Sequence, residues 1–136
     1  MSTRPPSGAS PPTRSEVYGL QIDLVALART ICKRYYVIYP DEHERYGAAG
    51  VDWCHHDNQW LLSWAAGDVI GAVDLDEQAC WLARVLHGRD FPVKRLIRNL
   101  QLAAEVTRES EIGPAGPTVA QRLEKAAAAV GDLHLG

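Results

Sequence analysis

The stretch from Tyr46 to Trp64, YGAAGVDWCHHDNQWLLSW, holds the residue types best suited to binding chemistry. Wound as an α-helix, in which each residue turns by about 100°, it places mostly aromatic side chains on one face. That face carries Tyr46, Gly50, Trp53, Asp57, Trp60, Leu61 and Trp64. The carboxylate of Asp57 therefore falls in the middle of an aromatic stripe, where burial without a partner is costly.

Two interpretations of Asp57 follow from this pattern. The first is structural, with the carboxylate bonded to a neighbouring Tyr, Trp or Arg, because buried polar groups usually find an internal partner. The second is contact with a flat, cationic, nitrogen-bearing ligand, for which ring stacking and charge pairing act together. In that case Trp53, Trp60 and Trp64 form the walls of the slot, and Gly50 leaves room for the ligand.

Cys54 and His56 flank the aromatic stripe on opposite sides. Cys54 is either a buried free thiol, the commoner case, or a point of covalent attachment. His56 is either a hydrogen-bonded boundary residue or an axial metal ligand. His55 points about 100° away from His56, so the two cannot ligate one metal from a regular helix. His87 is a second ligand candidate or a cation at the end of its helix.

Enzymatic motifs are missing from the sequence. It holds no G-x-S-x-G, no H-E-x-x-H and no P-loop. A dimetal site in a helical bundle requires several inward carboxylates on different helices, and only Asp57 is convincingly placed. We therefore expect a binding protein and not an enzyme.

Composition narrows the class of protein further. The 136 residues carry a net charge of -3 and 46% hydrophobic residues, which indicates one ordinary globular domain. Nothing favours a nucleic-acid or membrane surface, and no signal peptide begins the chain, so a cytoplasmic location is expected. The three cysteines are odd in number and far apart in sequence, which argues against a disulfide framework or a structural zinc site.

The periodicity of apolar residues predicts an all-α domain at residues 14–131. Five helices are expected, several opened by S/T/D-x-x-E/Q capping patterns, at residues 14–38, 41–66, 74–88, 91–110 and 118–130. No stretch alternates like a strand. The proline-rich residues 1–13 are predicted to be a disordered tail, and residues 132–136 form a short C-terminal tail. A four-helix bundle and a globin-like arrangement both fit this pattern.

The fourth predicted helix carries apolar residues on the side opposite its main stripe. Leu102 and Val106 fall there and would be exposed in a monomer. Exposed apolar patches mark interaction sites, so these residues predict a homodimer.

Several short motifs in residues 20–109 resemble those of a bacterial helical sensor domain. They are Y-x-x-x-G, C-H-H-D-N-x-x-L, L-x-x-R-D-F-P and R-N-L. Such domains often precede a cobalamin-binding domain, and in some bacterial photoreceptors their globin-like fold resembles the bilin-binding unit. The resemblance implies a globin-like fold around a tetrapyrrole-sized pocket, with light or ligand sensing as the function and an unidentified signalling partner.

A linear, biliverdin-like bilin fits the residues better than haem, the alternative cofactor. Haem needs an axial ligand, usually His, whereas a protonated bilin presents pyrrole N–H donors that Asp57 is placed to meet. The two propionates of a bilin need cations, and the candidates are Arg89, Lys94, Arg95 and Arg98. A third alternative is a globin-like dimerisation or signalling module that binds no ligand.

Overall fold

The computed structural model describes residues 10–135, and the chain there is mainly helical. A hairpin of β1 (Arg14–Val17) and β2 (Leu20–Asp23) precedes the helices. These are α1 (Leu24–Ile38), α2 (Glu42–Val69), α3 (Leu75–Gly88), α4 (Val93–Glu109) and α5 (Ala115–Gly131). With 72% helix, the prediction of an all-α domain of about five helices is confirmed. Of the predicted N-terminal tail, residues 1–9 lie outside the described residues.

The hairpin replaces the predicted first turns of a helix beginning at residue 14. Val17 pairs with Leu20, and the two residues between them, Tyr18 and Gly19, have φ of 54° and 76°. Positive φ at both central residues is the geometry of a type I′ hairpin turn. Val17 and Ile22 are buried, so the hairpin contributes apolar side chains to the core.

The true start of α1 is Asp23 and not the predicted capping residue Thr13. The Asp23 side chain accepts a hydrogen bond from the Ala26 amide at 3.0 Å, which satisfies one of the free N–H groups at the helix start. The Thr13 carbonyl instead accepts from the Leu24 amide at 3.0 Å. At α3 the predicted cap is confirmed, since Asp74 accepts from the Glu77 amide at 3.1 Å.

Helix α4 packs against both α1 and α5, while α2 packs on α1 and α3 packs on α5. A helix with neighbours on two sides is buried on two faces. Leu102 and Val106 are accordingly only 2% and 4% exposed, so the prediction that they are exposed was wrong. The homodimer prediction loses the observation on which it was based.

Helix α2 is kinked at Gly47, whose φ of 60° and ψ of -153° lie outside the helical region. This region of backbone space is open almost only to glycine. Beyond the kink, a Cβ placed on Gly50 would lie 2.5 Å from the Cβ of Tyr46, where neighbours one helical turn apart normally stand about 5–6 Å apart. The kink therefore places the Tyr46 side chain in close contact with Gly50.

Among the described residues, no helix combines the length and the apolar character required to cross a membrane.

Replacing Gly47 by Ala should destabilise the fold by about 1–3 kcal/mol, because a side chain is strained at this φ and ψ. The free energy of unfolding in urea measures the effect. Gly88→Ala is the matched control, since Gly88 has helical backbone and no atom within 4 Å of a new Cβ. Equal effects of the two substitutions would contradict the strained role of Gly47.

Candidate functional site

A cleft opens between α1, the kinked half of α2, and the corner that joins α3 to α4. Its cavity volume is about 50 Å³, well below the roughly 300–1,000 Å³ of small-molecule sites, so a ligand of that size requires the cleft to widen. The lining residues on α2 recur every three or four positions and are Glu42, Tyr46, Gly50, Trp53, Cys54, Asp57, Asn58 and Leu61. Tyr35, Leu86, Phe91, Arg95, Leu96 and Asn99 complete the wall.

Five of the predicted site residues line this cleft together. They are Tyr46, Gly50, Trp53, Cys54 and Asp57. The four others, His56, Trp60, Trp64 and Arg98, do not line it. The inward face of α2 is centred nearer Asn58, Leu61 and Ala65 than the aromatic pattern indicated.

Trp60 and Trp64 belong to a separate aromatic row that runs to α3. Their ring centres are 5.8 Å apart, and that of Trp64 lies 6.5 Å from that of Trp81. Trp81 is 39% exposed. The row therefore reaches the surface and does not form the walls of the cleft.

Asp57 is the more weakly paired of the two carboxylates that line the cleft. Its side chain is 17% exposed, and its nearest polar partner is the Nδ1 of His56 at 3.3 Å. The other His56 nitrogen, Nε2, lies 3.3 Å from the indole N–H of Trp60. An indole can only donate, so Nε2 accepts, and a neutral His56 donates its Nδ1 proton to Asp57.

No described Lys or Arg lies within ion-pair distance of Asp57. Burial raises the pKa of Asp57 above its usual range, and this effect outweighs the opposing influence of His56 and, more distantly, Arg89. The cleft therefore holds a carboxylate whose negative charge is only partly balanced by the described residues around it.

Glu42, the second carboxylate of the cleft, is fully partnered by contrast. It is 3% exposed, and it accepts from the Tyr35 hydroxyl at 3.0 Å and from Arg95 Nη1 at 2.5 Å. Arg95 Nη2 donates to Asp41 at 2.9 Å. Burial first, then the Glu42 charge, raises the pKa of Tyr35 far above its ordinary value. This network ties the start of α2 to α1 and α4.

Asn58 and Asn99 form a reciprocal amide pair across α2 and α4. The two N–H···O distances are 3.1 Å and 2.7 Å, and both residues are buried. Asn58, Asn99, Tyr35 and Glu42 were not predicted from the sequence to belong to the site. The inward position of Asn58 could have been inferred from its spacing. Asn58 follows Cys54 by four positions and precedes Leu61 by three, which places all three residues on one helix face.

Cys54 lies beside Cys32, although the two are far apart in sequence. Both sulfurs are 3.5 Å from the Asn58 amide nitrogen, and both thiols are free. The hydrogen bond with Cys32 and then burial raise the pKa of Cys54 well above that of an ordinary thiol. Because the thiolate is the nucleophile, this environment disfavours covalent attachment through Cys54.

Gly50 leaves less room for a ligand than we expected. The nearest atoms to a Cβ at this position would be the Cβ of Tyr46 at 2.5 Å and the hydroxyl of Tyr36 at 3.3 Å. The missing side chain therefore permits the close approach of Tyr46, although Gly50 also lines the cleft.

Comparisons with protein-family models, with curated proteins and with solved structures find no match to this chain.

Replacing Asp57 by Asn should stabilise the ligand-free protein at pH 7 by about 0.5–2 kcal/mol, because it removes a charge that burial disfavours. The pKa of Asp57 is raised by folding, so its contribution to stability is full below the unfolded pKa and is lost as the pH rises through the folded pKa. The gain should therefore shrink as the pH falls from 7 towards about 4. Urea unfolding across this range measures it.

Asp52→Asn is the control, because Asp52 is an exposed carboxylate on the same helix. A stability gain at Asp57 that did not depend on pH, or that Asp52→Asn matched, would argue against a burial penalty.

Proposed function

We propose that this chain is a sensor module whose cleft binds a linear tetrapyrrole of the biliverdin type. The observation that carries the proposal is Asp57, a partly buried carboxylate that faces the cleft with no cation in ion-pair distance among residues 10–135. A ligand with N–H donors or a delocalised positive charge would supply the missing partner. Low local dielectric strengthens such a pairing.

The other lining residues support a flat, largely apolar ligand. Trp53, Tyr46 and Phe91 offer aromatic surface, and Tyr46 and Phe91 lie with ring centres 5.9 Å apart. Aromatic walls supply dispersion and exclude water. When bound, a bilin supplies the absorption of visible light, while Asp57 holds its charge or N–H groups and His56 holds the Asp57 carboxylate in place.

Haem receives less support from the same geometry. None of the described lining residues is a histidine, whereas haem is commonly held by one. His56 is instead bonded to Asp57 and Trp60, and His87 is exposed at the end of α3. Sensing with an unidentified signalling partner, and not turnover, is the role that the sequence resemblance implies.

Titration of the purified protein with biliverdin, followed by absorption, tests this proposal. Asp57→Asn should weaken binding about tenfold, the equivalent of about 1.4 kcal/mol, and should shift the spectrum towards that of the unprotonated pigment. Asp52→Asn should bind like the wild type, and Cys54→Ser should keep the pigment. Haemin is the competing probe. Equal spectra and affinities for the wild type and Asp57→Asn would refute the role of Asp57.

A second candidate function is self-association through the row formed by Trp60, Trp64 and Trp81. The observation that favours it is the 39% exposure of Trp81, because exposed aromatic side chains are enriched at protein interfaces. In this case the wild type should dimerise in light-scattering measurements, and Trp81→Glu should shift it to monomer. A wild type that stays monomeric at high concentration would exclude this candidate.

A further inference from the structure

The packing of α1 on α2 brings two thiols together, those of Cys32 and Cys54. The Asn58 amide nitrogen lies 3.5 Å from each of the two sulfurs, and the thiols are joined to one another by a hydrogen bond. All three cysteines of the chain are free, and the third, Cys80, is on α3. Sequence spacing predicted no such pair, because only the contact between α1 and α2 creates it.

The two thiols differ in their access to the cleft. Cys54 lines it, whereas Cys32 is 2% exposed and is not a lining residue. The cavity volume of about 50 Å³ exceeds the roughly 10–15 Å³ that one water molecule requires, so the cavity has room for hydrogen peroxide, which is only slightly larger than water. An oxidant of this size that enters the cleft therefore meets Cys54 first, and Cys32 lies next to it.

We infer that Cys32 and Cys54 are a redox-active dithiol, which hydrogen peroxide converts to a disulfide that joins α1 to α2 beside the cleft. The Cys54 thiolate attacks one peroxide oxygen, the O–O bond breaks and hydroxide leaves, which produces a sulfenic acid on Cys54. The Cys32 thiolate then attacks the Cys54 sulfur, and the S–O bond breaks with release of a second hydroxide. The two thiol protons convert these hydroxides to water, so two thiols are oxidised and one peroxide is reduced.

The surroundings of the pair favour the second of these steps over the first. The raised pKa of Cys54 keeps this residue mainly in the thiol form, which makes its attack on peroxide slow. Attack by Cys32 is intramolecular and starts from groups already in contact, so the sulfenic acid is captured before further oxidation. Transient disulfides of this kind are typical of redox sensing. The inference goes beyond the proposed tetrapyrrole binding and does not depend on it.

Peroxide treatment of the folded protein, followed by thiol counting, tests the inference. Cys80→Ser is the protein to use, because it leaves Cys32 and Cys54 as the only thiols. After treatment on the order of hours, the protein is unfolded in urea and labelled with N-ethylmaleimide. The untreated protein should take up two labels, and the treated protein should take up none and weigh two hydrogens less. Dithiothreitol should restore both labels. The oxidised protein should also unfold at higher urea concentration, because the cross-link constrains the unfolded chain.

The double variant Cys32→Ser with Cys80→Ser is the matched control, since it keeps the thiol that lines the cleft and removes its partner. Peroxide should leave Cys54 as a sulfenic acid that dimedone traps, and circular dichroism checks that the variant is folded. In Cys80→Ser, two labels after peroxide treatment, or added oxygen in place of lost hydrogen, would overturn the inference. A disulfide between two chains, seen as a doubled mass on a non-reducing gel, would overturn it equally. No outcome involves biliverdin, so the tetrapyrrole proposal is tested separately.

Discussion

Helix α2 carries polar side chains into a mostly apolar core, and the fold depends on the partners that satisfy them. Asn58 is matched by Asn99, and Glu42 by Tyr35 and Arg95. These bonds join α2 to α1 and α4, so they fix the spacing of the helices around the cleft. Buried polar networks of this kind specify one arrangement when every member is satisfied. Asp57 is the member that this network leaves only partly satisfied.

Because Asp57 lacks a matching cation, its charge affects the stability of the fold. An ionised carboxylate at this position opposes folding, and a ligand that neutralised it would remove that penalty and stabilise the fold by linkage. His56 takes part because its Nδ1 proton holds the carboxylate while Trp60 fixes the opposite nitrogen. The same contacts connect the cleft to the aromatic row that ends at Trp81. A chain of side-chain contacts therefore links Asp57 to the protein surface at Trp81.

The sequence predicted the helical class and α3 well, because period and caps are local signals. The hairpin was missed because T-x-x-E at Thr13 imitates a helix cap, and because Tyr-Gly is an unusual pair for its turn. Leu102 was placed on the wrong side since periodicity does not show which helix is central. Asp57 lines the cleft, but its predicted neighbours Trp60 and Trp64 do not, because the kink at Gly47 and the pairing of distant helices decide which residues converge. The resemblance to bilin-binding sensor domains stays a prediction.

Folding removes most of the Asp57 side chain from solvent without giving it a matching cation. Carbon-13 NMR of the side-chain carboxyl groups, with Asp57→Asn to assign the signal, follows its titration directly in the ligand-free protein. We expect the pKa of Asp57 to lie clearly above that of an ordinary aspartate. An ordinary or lowered pKa would show that the carboxylate is hydrated or already paired, and Asp57 would then lack the unmet charge on which the proposed ligand contact depends.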